Sequence, residues 1–98
     1  MKSILQVETD KCYLCRQKKK LDMHHIMNGP FRAKSEEWGG YVYLCRDCHR
    51  ATHDKPEKAR ELKQIYQETF EILYGKELWM KTFKKNYLWH ITKLLKTI

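Results

Sequence analysis

Tyr41-Val42-Tyr43-Leu44-Cys45-Arg46-Asp47-Cys48-His49-Arg50-Ala51-Thr52-His53 is the stretch on which the fold turns. Its opening residues are aromatic, β-branched or aliphatic, the mix that suits a half-buried strand. The strand runs straight into a C-x-x-C pair, Cys45 and Cys48, and then into His49 and His53. Histidines four apart share one face of a helical turn and can hold one ion between them. A strand-to-helix junction that presents thiols and imidazoles together is suited to zinc, whose protein ligands are thiolate sulfur and imidazole nitrogen.

Working outward, a second C-x-x-C lies upstream at Cys12 and Cys15, with Tyr13 and Leu14 between them. Two such turns offer four soft thiolates, which fill a tetrahedral Zn²⁺ shell and leave no open position, so the expected Zn(Cys)₄ site is structural. Four unrelated buried cysteines, or a redox C-x-x-C, are the competing readings, and the βαβ context that would support a redox pair is missing. Small domains often need such a staple, because their limited core does not offset chain entropy.

Leu21 to Ile26 has the composition of a short strand, closed by Asn28-Gly29-Pro30. It contains His24 and His25, which cannot both point the same way from a regular strand. One can therefore ligate a metal with His49 and His53 while the other faces a substrate. Three ligands with open positions describe a catalytic ion able to act as a Lewis acid. A free imidazole beside it, with an ordinary pKa near 6.5, suits proton transfer from water. Accessory zinc ligands or plain surface histidines are the bland alternative, and it is adopted for the isolated His90.

Elsewhere the pattern predicts a lead-in with a strand around Ile4 to Val7, a basic loop from Arg16 to Lys20, and a polar connection from Phe31 to Gly40 with a helical turn around Ser35 to Trp38. After Pro56, apolar Leu62, Ile65, Tyr66, Phe70 and Leu73 recur at helical spacing up to Gly75. Two further amphipathic segments follow, one with Leu78, Trp79, Met80 and Phe83, the other with Leu88, Ile91, Leu94, Leu95 and Ile98. The expected architecture is a single α+β domain over residues 1–98, with a metal-binding core over 12–53 and a helical extension over 56–98.

The chain has 98 residues, room for one modest core. Its net charge of +8 predicts attraction to a polyanion. No apolar run reaches the length of a membrane span and Met1 to Gln6 does not resemble a secretory signal, so a soluble, cytoplasmic protein without a membrane partner is expected. Lys18, Lys19, Lys20, Arg32, Lys34, Arg46 and Arg50 are the candidate contacts to nucleic-acid phosphates, joined by lysines of the tail. Residues 56–75 hold three Lys/Arg and four Asp/Glu, whereas 76–98 hold six and one. The long helix therefore reads as scaffold and the tail as the basic element.

In combination, C-x-x-C, then His24-His25-Ile26, then Tyr43-Leu44-Cys45-x-x-Cys48-His49-x-x-x-His53 resembles the HNH endonucleases, small phage-encoded members among them. The likeness covers about Cys12 to His53 and implies a ββα-metal core stapled by the Zn(Cys)₄ knuckle. It implies that His24, His49 and His53 hold a catalytic divalent cation (Mg²⁺, Mn²⁺, Ni²⁺ or Zn²⁺) and that His25 is the general base. The implied reaction is hydrolysis of DNA phosphodiesters to leave 5′-phosphate ends, with a phage recombination or packaging protein as a candidate partner. Sequence preference is expected to be weak, because nothing resembles a dedicated reader of base edges. The family usually carries an asparagine about nine positions before the first helix histidine, where it braces the loop and orients the base. Here that position is Gly40. Asn28 is a candidate substitute; otherwise either a backbone carbonyl orients His25 or activity is reduced. A non-catalytic zinc module that binds nucleic acid or a protein is the rival reading, with Gly40 in its favour.

Overall fold

Leu21–His25 (β1) and Tyr41–Cys45 (β2) pair antiparallel, with Leu21 opposite Cys45 and His25 opposite Tyr41. They form the two-stranded sheet of a computed structural model that describes residues 2–88. Opposed residues share a face, so the register sets Asp22 beside Leu44 and His24 beside Val42. Leu44 and Val42 are fully buried there. Arg46–Asp54 (α2) follows β2 without a linker and folds back over this face, which carries His49 and His53 to His24.

The outer edge of β2 is closed in an unexpected way. The sequence predicts a strand around Ile4 to Val7, but these residues form none. Instead the buried Gln6 side chain acts as a substitute strand: its Oε1 accepts from the Tyr43 N–H at 2.7 Å, and its Nε2 donates to the carbonyls of Glu8 and Lys11. The Ser3 hydroxyl accepts the N–H groups of Leu5 and Gln6 and donates to the Tyr41 carbonyl. That local turn cannot coexist with an extended backbone, and it still leaves the β2 edge groups paired.

Between the strands, a 3₁₀ turn at Gly29–Phe31 leads into Arg32–Glu37 (α1), which extends the predicted helical turn toward the N-terminus. Ser35, fully buried, locks this connection. Its Oγ donates to the Gly40 carbonyl and accepts the Met27 N–H, tying the exit of β1 to the entry of β2.

Pro56–Tyr74 (α3) begins on the expected proline and ends at Gly75, whose φ of 95° is open to glycine but strained for other residues. Leu62, Tyr66 and Phe70, spaced by four, bury one stripe against Trp79 and Phe83 of Lys76–Phe83 (α4). The rings meet edge to face, with Phe70 and Tyr66 each 5.4 Å from Trp79. Ile65, Leu73 and Met80, expected in the apolar stripes, are exposed. The stripe is narrower than its apolar residues allow, and polar Gln67 is buried beside it. Gln67 tolerates this because its amide is satisfied by the Tyr87 N–H, the Asn86 side chain and Glu71. The last predicted segment, including Trp89, His90, Ile91, Lys93, Leu94, Leu95, Lys96 and Ile98, lies outside the described residues. Among the described residues no helix is long and apolar enough to cross a membrane.

Candidate functional site

Two clusters of metal-ligating side chains flank the β2–α2 junction. In the first, the sulfurs of Cys12, Cys15, Cys45 and Cys48 all lie within 4.8 Å of one another. Cys45 ends β2 and Cys48 sits in the first turn of α2. The other two cysteines belong to a turn closed by the Arg16 N–H on the Cys12 carbonyl, with Arg16 in the left-handed region. Cys15 Sγ and Cys45 Sγ are 3.8 Å apart. Sulfurs at the corners of a tetrahedron around zinc, each about 2.3 Å from the ion, stand about 3.8 Å apart. The donor set fits zinc.

Electrostatics point the same way. Burial pushes the Cys12 thiol up, but backbone N–H groups of Cys15, Cys45 and Leu14 outweigh it and bring it down to about 6. Cys48 is pushed up to about 12 by burial and by its cysteine neighbours. Cys12 favours its thiolate while Cys48 resists ionising among the neighbouring sulfurs, an opposition that a bound cation would relieve.

The second cluster joins His24 of β1 to His49 and His53 of α2, with one ligand nitrogen from each within 4.8 Å of the others. His49 Nε2 and His53 Nε2 are 3.3 Å apart. Two imidazole nitrogens sharing a tetrahedral ion at about 2.0–2.1 Å stand about 3.3 Å apart. The His49 ring is fixed from behind, where its Nδ1–H donates to Asp22 Oδ2 at 3.3 Å and leaves Nε2 free to ligate. His24, buried at 5 % exposure, is held well below its usual pKa, at about 4. Burial is the main cause, followed by the charges of His49, His53, His25 and Lys63. Its ring is therefore neutral near pH 7, with a lone pair available for an ion.

His25, the next residue along β1, remains outside this trio. Its Nε2 lies 3.2 Å from Glu36 Oε2 on α1. With Nε2–H donating to that carboxylate, Nδ1 is the basic nitrogen. All four histidines line one open cleft of about 230 Å³, together with Met23, Asn28 and Arg32.

Of the predicted phosphate contacts, Arg32 alone lines this cleft. Lys34 instead donates to the Thr82 carbonyl, Arg46 leans on Asp22 at 3.7 Å, and Lys18 pairs with Asp10. Lys19, Lys20 and Arg50 are exposed and join no cluster among the described residues. Asn28 lines the cleft, but among the described residues its side chain makes no hydrogen bond to His25.

Gly40 has a packing reason. A Cβ there would strike the Tyr66 ring and come within 2.6 Å of Ser35 Oγ. From α1, Ser35 braces the loop and Glu36 holds the His25 ring. Sequence reading misses Asp22, Ser35 and Glu36. Asp22 carried a usable signal, since a residue two before His24 in a strand shares its face. Ser35 and Glu36 lie in a connection where nothing in the pattern sets their direction. Comparison with protein-family models, curated proteins and solved structures gives no match for the chain.

Proposed function

We propose that this chain is a metal-dependent endonuclease of the HNH type that hydrolyses DNA phosphodiester bonds with weak sequence preference. One observation carries the reading: three imidazoles with metal-ligand spacing and a fourth, unligated and carboxylate-held, share one open cleft. A structural zinc site would not need the fourth, nor an opening.

In this reading His24, His49 and His53 hold a divalent cation (Mg²⁺, Mn²⁺, Ni²⁺ or Zn²⁺), which when bound supplies Lewis-acid stabilisation of charge on the scissile phosphate and its leaving oxygen. Asp22 keeps the His49 tautomer correct for ligation. His25 Nδ1 takes the proton from the water that attacks phosphorus, and Glu36 accepts the opposite N–H and steadies the imidazolium that results. Arg32, at the rim, draws the phosphate in. The Zn(Cys)₄ knuckle fixes the start of α2, and with it the positions of His49 and His53. Gly40 no longer favours a non-catalytic module, because its lack of a side chain is demanded by Tyr66.

The test is nicking of supercoiled plasmid by purified protein in Mg²⁺, Mn²⁺ or Ni²⁺, with a chelator control and the His25→Ala variant. Wild type should nick only with metal. His25→Ala should lose at least about 100-fold in rate, the usual scale of a general base, while keeping its zinc and its melting temperature. Binding of DNA without metal-dependent nicking, or full activity in His25→Ala, rejects the mechanism.

A further inference from the structure

The long helix, read from its charge balance as scaffold, places two of its three cations, Arg60 and Lys63, on a second cleft. This cleft, about 500 Å³, is lined by Pro56, Arg60, Lys63, Lys85, Asn86 and Tyr87. Arg60 and Lys63 are three apart on α3 and so share a face, while Lys85 comes from the segment after α4. No carboxylate lines it, and among the described residues none of the three cations has an acidic partner. The four glutamates of α3 therefore do not neutralise this side of the helix, although they balance its total charge.

The wall opposite α3 is fixed. Gln64 Nε2 donates to the Tyr87 carbonyl, the Tyr87 N–H donates to Gln67 Oε1, and Gln67 Nε2 donates to Asn86 Oδ1. Lys63 Nζ lies 5.5 Å from the centre of the Tyr87 ring, which steadies the ammonium while leaving its hydrogens for an anion. The cleft begins just past the end of α2, the helix that carries His49 and His53. Pro56, on its lining, is three residues beyond His53. A rigid, unneutralised, cationic groove leading away from a phosphate-cleaving cleft suits a regularly spaced polyanion better than a single small anion.

We propose that the cleft of Arg60, Lys63, Lys85 and Tyr87 binds the sugar-phosphate backbone of DNA flanking the bond cut at the histidine cleft. The choice of DNA rests on the nuclease reading, and the cleft gives that reading a direction: the strand leaves the histidines along α3 rather than over the Lys18 to Lys20 loop.

The experiment is fluorescence anisotropy of a fluorescein-labelled duplex DNA with protein carrying a single equivalent of zinc, at the cysteines, and no metal at the histidines so that no cleavage intervenes, over a range of NaCl. The variant Arg60→Gln/Lys63→Gln/Lys85→Gln is compared with a charge-matched control, Lys2→Gln/Lys11→Gln/Lys81→Gln, whose residues line neither cleft. Each lost phosphate contact should flatten the log–log salt dependence by about 0.9 and weaken binding about eightfold at 0.1 M salt. The cleft variant should therefore lose a slope of about 2 to 3 while the control keeps most of it. Equal losses in both variants, no loss in the cleft variant, or no binding by wild type overturns the proposal. If the triple variant does not fold, Arg60→Gln and Lys85→Gln singly replace it, each with an expected slope change of about 0.9. Wild type that binds through the cleft yet never nicks rejects the nuclease and keeps the cleft. Metal-dependent nicking with unaltered binding in the cleft variant does the reverse.

Discussion

Asp22 Oδ2 lies 3.3 Å from His49 Nδ1, so a carboxylate on β1 orients an imidazole on α2 whose other nitrogen points at His53. The pairing turns two elements into one ligand frame. Losing an outer partner of this kind typically costs 10- to 100-fold in metal affinity. Asp22→Ala should therefore weaken Mn²⁺ or Ni²⁺ binding at the histidines by about that factor, as read by calorimetry. Zinc at the cysteines should stay at one per chain. An affinity equal to wild type would mean that His49 is oriented by something else.

The knuckle is expected to contribute folding free energy outright, because a zinc ion held by the four cysteines would occupy a site that exists only when the chain is folded. Cys12 is fully buried and Cys45 nearly so, and they sit in the same core as Val42 and Leu44. Cys12→Ser should release zinc, measured by a chromophoric chelator, and lower the thermal midpoint markedly or abolish the cooperative transition. An unchanged melt in the zinc-free variant contradicts the structural role.

The neutral, buried His24 makes a pH prediction whose sign is fixed. Its folded pKa, about 4, is below the ordinary 6.5, so on acidification the unfolded chain takes up a proton that the folded chain refuses. Stability of protein with no metal at the histidines should then fall as pH drops from 6.5 toward 4, by no more than about 1.4 kcal/mol per pH unit for one proton. Urea titrations at several pH values check this, with His24→Gln as the comparison. Acid loss of knuckle zinc is common to both proteins, so their difference isolates His24. Parallel curves would show that His24 protonates freely in the folded state.

What could be read from the sequence was whatever obeys a period or a fixed spacing. The doubled C-x-x-C and the His49/His53 pair announced clusters that the structure brings together, and the aromatic run at Tyr41 announced β2. Side chains that act across the chain had no such signature. Gln6 is an isolated glutamine whose role as a strand substitute depends on an edge formed more than thirty residues later. Ile65 and Leu73 fit the helical period but face solvent, since α4 covers only the stripe of Leu62, Tyr66 and Phe70. Charge balance is silent for a similar reason: a sum over α3 cannot say on which side Arg60 and Lys63 lie.

Gly40 offers the sharpest separation of packing from chemistry. A methyl group there would run into the Tyr66 ring, itself fully buried between Phe70, Trp79 and Phe83 and held by its hydroxyl on the Trp38 carbonyl. The ring has little freedom to retreat, so Gly40→Ala should cost about 1–3 kcal/mol, the usual range for overpacking a filled core. Gly40→Asn, which puts a larger side chain in the same place, should cost more. Contacting residues couple, so Tyr66→Leu, which withdraws the ring, should make the added cost of Gly40→Ala smaller than it is in the wild type, by at least about 0.5 kcal/mol. Denaturant unfolding of the four proteins in this cycle gives the coupling directly. Strict additivity, or a Gly40→Asn variant as stable as wild type, would show that the glycine is not required by Tyr66 and would return Gly40 to the list of arguments for a non-catalytic module.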